Sequence, residues 1–258
     1  MRAGKGRKSP DEMTFLEHLE DLRKRIFYSF LALLVGFVPG WIFSKDLYHI
    51  LARPVTQYLP EGTKLAFTTL TAPFMLYIKV AVLASVFLAS PFIFLQVWYF
   101  VAPGLYRKER KYVIPFVLMT TFFFSLGALF GYFIVFPWAC RFFLAMGEGF
   151  QPVIAVDQYF GFALKILLGI ALVFELPTLV FFLAKMGVLT ARWMIRNFKY
   201  AVLLVFVVAA VITPTPDVVT QSIVAVPMLA LYGLSILIAM AVGRGRDRKR
   251  DPDTTPAG

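Results

Sequence analysis

Long runs of apolar residues alternate with short polar stretches along almost the whole chain of 258 residues. An α-helix needs about 20 mainly apolar residues to cross a hydrocarbon core of about 30 Å. Six runs reach or approach that length, at residues 26–44, 73–99, 113–137, 160–184, 197–212 and 220–242. The pattern therefore predicts an all-α integral membrane protein with six transmembrane helices.

The predicted spans are not uniform. The last two are expected to be short, most clearly the fifth, which is continuously apolar only from Tyr200 to Ile212. Proline removes a backbone N–H and bends a helix. The prolines within or at the ends of the spans are Pro39, Pro91, Pro115, Pro137, Pro177 and Pro227. We therefore expect kinked helices, and the sequence leaves open whether the kinks also shape a groove.

Polar segments at both ends divide the chain into three parts. Residues 1–25 form a cytoplasmic N-terminal tail, residues 26–242 a single six-span domain, and residues 243–258 a basic tail that we expect to be disordered. The first apolar run is followed by no small-residue cleavage site, so it is interpreted as a retained span rather than a signal peptide.

The N-terminal tail carries an amphipathic helical pattern in its second half. Apolar side chains at helical spacing form one stripe, and they are Phe15, Leu19, Leu22 and Ile26. Two i,i+4 ion pairs are predicted on the flanks, Glu20 with Lys24 and Asp21 with Arg25. This segment is either an interfacial helix leading into the first span or a docking surface for a cationic partner.

Composition and charge support the membrane assignment and orient the chain. Hydrophobic residues make up 59% and charged residues 16%, against about 25% charged in soluble domains. The net charge is nevertheless +11, and twenty of the 26 Lys and Arg lie in four segments, 1–25, 100–112, 185–199 and 243–258. The positive-inside rule then predicts that both termini are cytoplasmic. Because the basic residues mark topology, we expect no nucleic-acid partner.

The sequence lacks the side chains that common catalytic sites need. It has one cysteine, Cys140, two histidines, His18 and His49, and no phosphate-binding loop. No catalytic residue, metal site or cofactor is therefore predicted. A secondary transporter would share these features, so that function remains an alternative.

Three polar residues stand out against this background. Glu175 lies near the centre of the fourth span, where an ionisable side chain is costly and by default functional. Glu109 is a lone carboxylate among four basic residues in the first cytoplasmic loop. Gln221 enters the last span, where its carboxamide contacts either a partner helix or another part of the chain.

These residues lie in segments that resemble the TatC family, the multispanning component of the twin-arginine protein translocase. The segments are H-L-E-D-L-R-K-R at 18–25, Q-V-W-Y-F-V-A-P-G-L-Y-R-K-E-R-K at 96–111, V-F-P at 135–137, F-E-L-P at 174–177 and T-P-D-V-V-T-Q at 215–221, with A-V-P-M downstream. The resemblance implies a non-enzymatic, glove-shaped bundle in the bacterial inner membrane, and it makes a secondary transporter with Glu175 as its proton or substrate site the weaker alternative.

The resemblance also implies the site residues. A loop carboxylate matching Glu109, and a tail carboxylate matching Asp21 or its neighbour Glu20, would contact the paired arginines of a signal peptide. Phe100 matches a loop position linked to signal binding. Pro54 matches a position in the first external loop.

The remaining matches imply partners. Glu175 matches the family's membrane carboxylate, which faces the concave, glove-shaped surface and is expected to make an intramembrane contact. Thr213 and Gln221 match a polar patch at spans five and six where the single-span partners TatA and TatB dock, and Asp217 belongs to the loop between these two spans. Self-association and dependence on the proton-motive force are expected as well. One departure is Gly233, where the family pattern has a Glu.

Overall fold

The structure, a computed structural model, describes residues 15–58, 65–101, 113–147, 149–150, 153–213 and 217–250. Within these ranges ten α-helices follow one another. They are α1 (Phe15–Ile42), α2 (Ser44–Thr56), α3 (Ala72–Val101), α4 (Val113–Phe130), α5 (Phe136–Met146), α6 (Val156–Val173), α7 (Leu176–Met186), α8 (Ala191–Arg196), α9 (Phe198–Ile212) and α10 (Val218–Arg250). Extended pairing among the described residues is confined to a bridge between Ala66 and Ala155, so the predicted all-α class is confirmed.

Five stretches of the described chain are long and apolar enough to cross a membrane. They are Glu17–Ile42, Ala72–Phe100, Val113–Met146, Val156–Met186 and Val218–Gly243. The sixth apolar helix, α9, has 15 residues and is about 22 Å long at 1.5 Å per residue. The length of α9 agrees with the expected short fifth span, whereas the count of six spans and the orientation of the termini stay predictions.

The last apolar stretch, Val218–Gly243, has 26 residues, as many as the first, so the prediction that the last span is short was wrong. Helix α10 has 33 residues. It begins at Val218 because Asp217 caps it, with Oδ1 accepting from the backbone N–H of Thr220 at 2.7 Å. It continues to Arg250, through the start of the basic tail. Residues 251–258 lie outside the described residues.

The N-terminal tail and the first span form one helix. Helix α1 runs unbroken from Phe15 to Ile42, so the boundary placed at residue 25 is not a break in the backbone. The first fourteen residues lie outside the described ranges, and the division into three domains stays a prediction.

Helix α1 packs chiefly on α3, and two glycines allow the close approach. A Cβ on Gly40 would lie 2.7 Å from the carbonyl oxygen of Ala81, and a Cβ on Gly36 would lie 3.2 Å from that of Ser85. Small residues spaced four apart let membrane helices approach at their backbones. The Gly36–Gly40 surface therefore fixes how α1 lies along α3.

Two of the proline positions interrupt helices. A π-helical turn, Gly131–Val135, joins α4 to α5 just before Pro137. Pro177 is the second residue of α7, which is separated from α6 by Phe174 and Glu175. Proline supplies no N–H to the carbonyl four residues earlier and its ring clashes there, so each helix is disturbed upstream of the proline.

The core centres on α6. The side chains of Phe136, Phe160, Ile166 and Ile170 are all less than 2% exposed. Helix α4 approaches α6 at Gly127, where an added Cβ would lie 2.8 Å from the Cα of Ala171. Tight packing on both sides makes α6 the rigid element that holds the break before α7.

Candidate functional site

The first turns of α1 lie against the last turns of α3. The imidazole of His18 stacks on the ring of Phe100, with centroids 4.4 Å apart and planes inclined by 24°. Further along α1, Arg25 donates from Nη1 to the Oε1 of Gln96 at 3.3 Å, and its guanidinium carbon lies 5.1 Å from the ring centroid of Tyr99. These five residues define what we call the α1–α3 corner.

Two predicted tail carboxylates lie on the same part of α1 but in different environments. Glu20 is paired with Lys24 at 2.9 Å, and both side chains are well exposed, at 65% and 60%. Asp21 is paired with Arg25 at 3.3 Å, and its side chain is only 22% exposed. Both predicted ion pairs are confirmed. Asp21 therefore holds Arg25 in the corner, whereas Glu20 presents its carboxylate to solvent.

The loop carboxylate, Glu109, lies outside the described residues, in the segment 102–112. Its contact with the tail carboxylates and with a signal peptide stays a prediction.

Glu175 occupies the break between α6 and α7 instead of a kinked continuous helix. Its carbonyl accepts from the N–H of Leu179 at 2.9 Å, and its own N–H donates to the carbonyl of Leu172 at 3.1 Å. Its Oε1 is buried and has no hydrogen-bond partner among the described residues. A buried carboxyl oxygen without a partner is costly, which agrees with the interpretation of Glu175 as functional.

The polar residues Thr213, Asp217 and Gln221 flank the end of α9 and the start of α10. Thr213 is buried, and its Oγ1 donates to the carbonyl of Ala209 at 2.9 Å. Asp217 caps α10, as described above. Gln221 is half-buried, and its carboxamide makes no hydrogen bond to any other described residue. Both interpretations of Gln221, a contact with a partner helix and a contact within the chain, stay predictions.

Pro54 lies in a helix, not in a loop as expected. It is buried within the last turns of α2, and its carbonyl accepts from Nε2 of Gln57 at 3.5 Å. Pro54 also lines a cavity with Arg53 and Tyr132. A functional role for Pro54 stays a prediction.

The described site residues fall into four separate places. The structure joins Phe100 to the tail, and it joins neither of these to Glu175, to Pro54 or to the pair Thr213 and Gln221. Sequence reasoning missed Gln96 and Tyr99. The signal for Gln96 was its carboxamide in an otherwise apolar span. In the described part of the chain no three His, Cys, Asp or Glu side chains converge to hold a metal ion.

Comparisons with known proteins agree with this architecture. The family model "Sec-independent protein translocase protein (TatC)" matches residues 17–227. A TatC protein of Koribacter versatilis (strain Ellin345) is 44% identical over 241 residues, which cover 92% of this chain and 89% of that protein. A TatC protein of Desulforapulum autotrophicum is also 44% identical, over 92% of this chain and 88% of its own length.

A solved structure gives the same result at the level of fold. The crystal structure of a twin-arginine translocase receptor, TatC, superposes with a TM-score of 0.78 at 37% identity, covering 88% of this chain and 99% of that one. These matches confirm a multi-pass membrane protein and the expected absence of enzymatic activity, since the family consists of protein-translocase components. The chain belongs to the TatC family of Sec-independent protein translocases.

Proposed function

We propose that this chain is the signal-peptide receptor of its translocase and that the α1–α3 corner binds the paired arginines of the signal peptide. Family membership supplies the general role in twin-arginine translocation. The observation that carries the finer proposal is the stack of His18 on Phe100. This stack joins α1, which bears Glu20 and Asp21, to Phe100 near the end of α3. The segment that contains Glu109 follows α3 in the chain.

The chemistry of the corner suits guanidinium groups. A carboxylate accepts two parallel hydrogen bonds from arginine, in a planar geometry that lysine does not reproduce. Two adjacent arginines need two carboxylates, and Glu109 and Glu20 are the pair that we assign. The contact of Arg25 with Tyr99 illustrates that this surface already accommodates a guanidinium over an aromatic ring.

Binding at this end requires a defined orientation. We infer six spans with both termini in the cytoplasm of a bacterium and the protein in the cytoplasmic (inner) membrane. The concentration of basic residues in the two tails and in segments 100–112 and 185–199 supports this orientation. The α1–α3 corner then faces the compartment in which folded precursors are made.

The polar groups elsewhere are assigned to partner contacts. We assign Thr213 and Gln221 to the docking of TatA and TatB, with Glu175 contributing inside the membrane and with self-association in the assembled complex. The half-buried carboxamide of Gln221 and the unpartnered Oε1 of Glu175 support contacts made only in a complex. Transport driven by the proton-motive force needs no cofactor in this chain.

The direct test is crosslinking of a twin-arginine precursor to membranes that contain Glu109→Gln. Removing the charge while keeping the shape should lower crosslinking by about tenfold or more, because a charge-assisted hydrogen bond to arginine contributes about 1.5–3 kcal/mol. Membrane insertion of the variant should be unchanged. Unaltered crosslinking would contradict the proposal.

Glu175→Gln serves as the matched control, since it removes the same charge at another place. It should leave initial precursor crosslinking intact and reduce copurification of TatA with the receptor complex. A loss confined to signal binding would show that Glu175 belongs to the recognition site instead.

The alternative function is secondary transport with Glu175 as the proton or substrate site, and the burial of its Oε1 is the observation that favours it. Solute uptake and proton flux in proteoliposomes separate the two. The receptor proposal predicts no flux above that of empty vesicles.

A further inference from the structure

Two cavities meet on the surface of the bundle near α2. The first is an apolar groove of about 490 Å³ between α2, α3 and α4, lined by residues such as Leu51, Val80, Phe87 and Leu129. The second is smaller, about 410 Å³, and more polar, with Arg53, Gln57 and Tyr58 on its wall. Both cavities share Tyr132 and Phe133, so they form one site with an apolar part and a cationic part.

The depth of this site in the membrane follows from the length of the helix that lines it. Helix α4 begins at Val113, next to the basic segment 107–111. A hydrocarbon core of about 30 Å takes about 20 residues, which brings Tyr132 and Phe133 to the far edge of the core. Arg53 and Gln57 then lie at the level of the lipid headgroups, and the groove extends inward from them.

The inward part of the groove is deep enough for an acyl chain. Its wall runs from Ser125 on α4 to Tyr132 in the π-helical turn, and from Val80 to Phe87 on α3. Seven residues of helix span about 10 Å at 1.5 Å per residue. Ala84 and Ala128 contribute small side chains to this wall, which leaves the groove open along its length.

The helix that carries the cationic part, α2, is held in place by a hydrogen bond. The hydroxyl of Tyr132 donates to the carbonyl of Ile50 at 2.8 Å, which holds α2 against the π-helical turn. Arg53 is exposed, and no carboxylate of the described residues lies within ion-pairing distance of it. An exposed arginine at the membrane surface attracts phosphate, which accepts bidentate hydrogen bonds from its guanidinium.

We propose that this site binds one phospholipid of the leaflet on the α2 side, with its phosphate on Arg53 and Gln57 and one acyl chain in the groove below. A second copy of this chain or an apolar peptide segment would fill the groove but leave the guanidinium without an anion. The phospholipid matches both parts of the site. In the complex it would fix α2 relative to α3 and α4.

The test measures lipid retention by the detergent-purified protein using native mass spectrometry. With phosphatidylglycerol as the probe, Arg53→Gln should lower the fraction of protein that retains lipid by about tenfold. This is the change in affinity expected from the loss of one charge-assisted hydrogen bond. Lys45→Gln is the matched control, since Lys45 is an exposed cation on the first turn of the same helix. It should bind phosphatidylglycerol like the unmodified chain.

A second variant tests the acyl part separately. Ala128→Leu should fill the groove and lower retention while Arg53 is intact, whereas Ala210→Leu, on an exposed position of α9, should not. Retention by Arg53→Gln equal to that of the unmodified chain would overturn the proposal. Equal retention of diacylglycerol, which lacks phosphate, would also overturn it. So would displacement of the lipid by a signal peptide that crosslinks to Leu129, because the groove would then be a peptide site.

Discussion

At the scale of single residues, neighbouring carboxylates on one helix have different tasks. Glu20 is exposed and paired with an exposed lysine, whereas Asp21 is partly buried and paired with an arginine that also contacts Gln96. An exposed ion pair is easily exchanged for another cation. We therefore assign ligand binding to Glu20 and the support of the α1–α3 corner to Asp21.

This assignment predicts opposite outcomes for two neutral substitutions. Glu20→Gln should weaken binding of a twin-arginine signal peptide without changing the melting temperature in detergent. Asp21→Asn should lower stability by about 0.5–1 kcal/mol, the magnitude of a weakly buried ion pair, because Arg25 loses its carboxylate. Thermal melting and peptide binding, measured on the same preparations, distinguish the two. Equal melting temperatures with weaker binding only in Asp21→Asn would reverse the assignment.

At the scale of elements, the position of α1 depends on its contact with α3. Helix α1 is otherwise mostly exposed, with 11% of its span buried within the chain, against 39% for α3. The carbonyl of Ala81 approaches Gly40 too closely to admit a side chain. The glycines of α1 thus determine whether His18 reaches Phe100 at the other end of the helix.

Gly40→Ala should therefore separate α1 from α3 and destabilise the protein. The cost should be about 1–3 kcal/mol, typical of overpacking, because the added methyl meets backbone rather than a movable side chain. Gly161→Ala is the control, since its added Cβ meets nothing within 4 Å. It should leave stability unchanged or raise it by up to about 1 kcal/mol through helix propensity. A melting temperature for Gly40→Ala equal to that of the control would contradict this explanation.

At the scale of the whole molecule, the orientation of the chain depends on whether α9 crosses the membrane. Its 15 residues are about 8 Å shorter than a hydrocarbon core of about 30 Å. Local thinning of the bilayer allows a short helix to span. If α9 crosses, both termini lie on one side, and if it does not, they lie on opposite sides.

Cysteine accessibility decides this directly. The chain has one cysteine, Cys140, which is buried, so Cys140→Ala provides a clean background. In intact cells an impermeant thiol reagent should label Val153→Cys, which is 76% exposed, and should label Ser9→Cys and Thr254→Cys only after permeabilisation. Labelling of Thr254→Cys in intact cells would indicate five spans instead of six.

Much of this architecture could be predicted from local properties of the chain. Hydropathy located the long helices, since burial in lipid depends on runs of about 20 residues, and i,i+4 spacing identified the ion pairs of Glu20 and Asp21. The length of α10 was predicted too short because hydropathy shows only its apolar part. The helix begins at the cap formed by Asp217 and continues past the apolar residues into the basic tail. The break at Glu175 was predicted only as a kink.

The sequence by itself determined the helical class, the family and the residue types available for recognition. Only the tertiary structure decided that His18 stacks on Phe100 and that Asp21 pairs with an arginine bound to Gln96. It also decided that Arg53 lies at the end of an apolar groove. These contacts join residues that are far apart in the chain. They depend on how closely the backbones of two helices approach each other, as at Gly40 and Ala81. That distance cannot be predicted from the hydropathy or the charge of either segment alone.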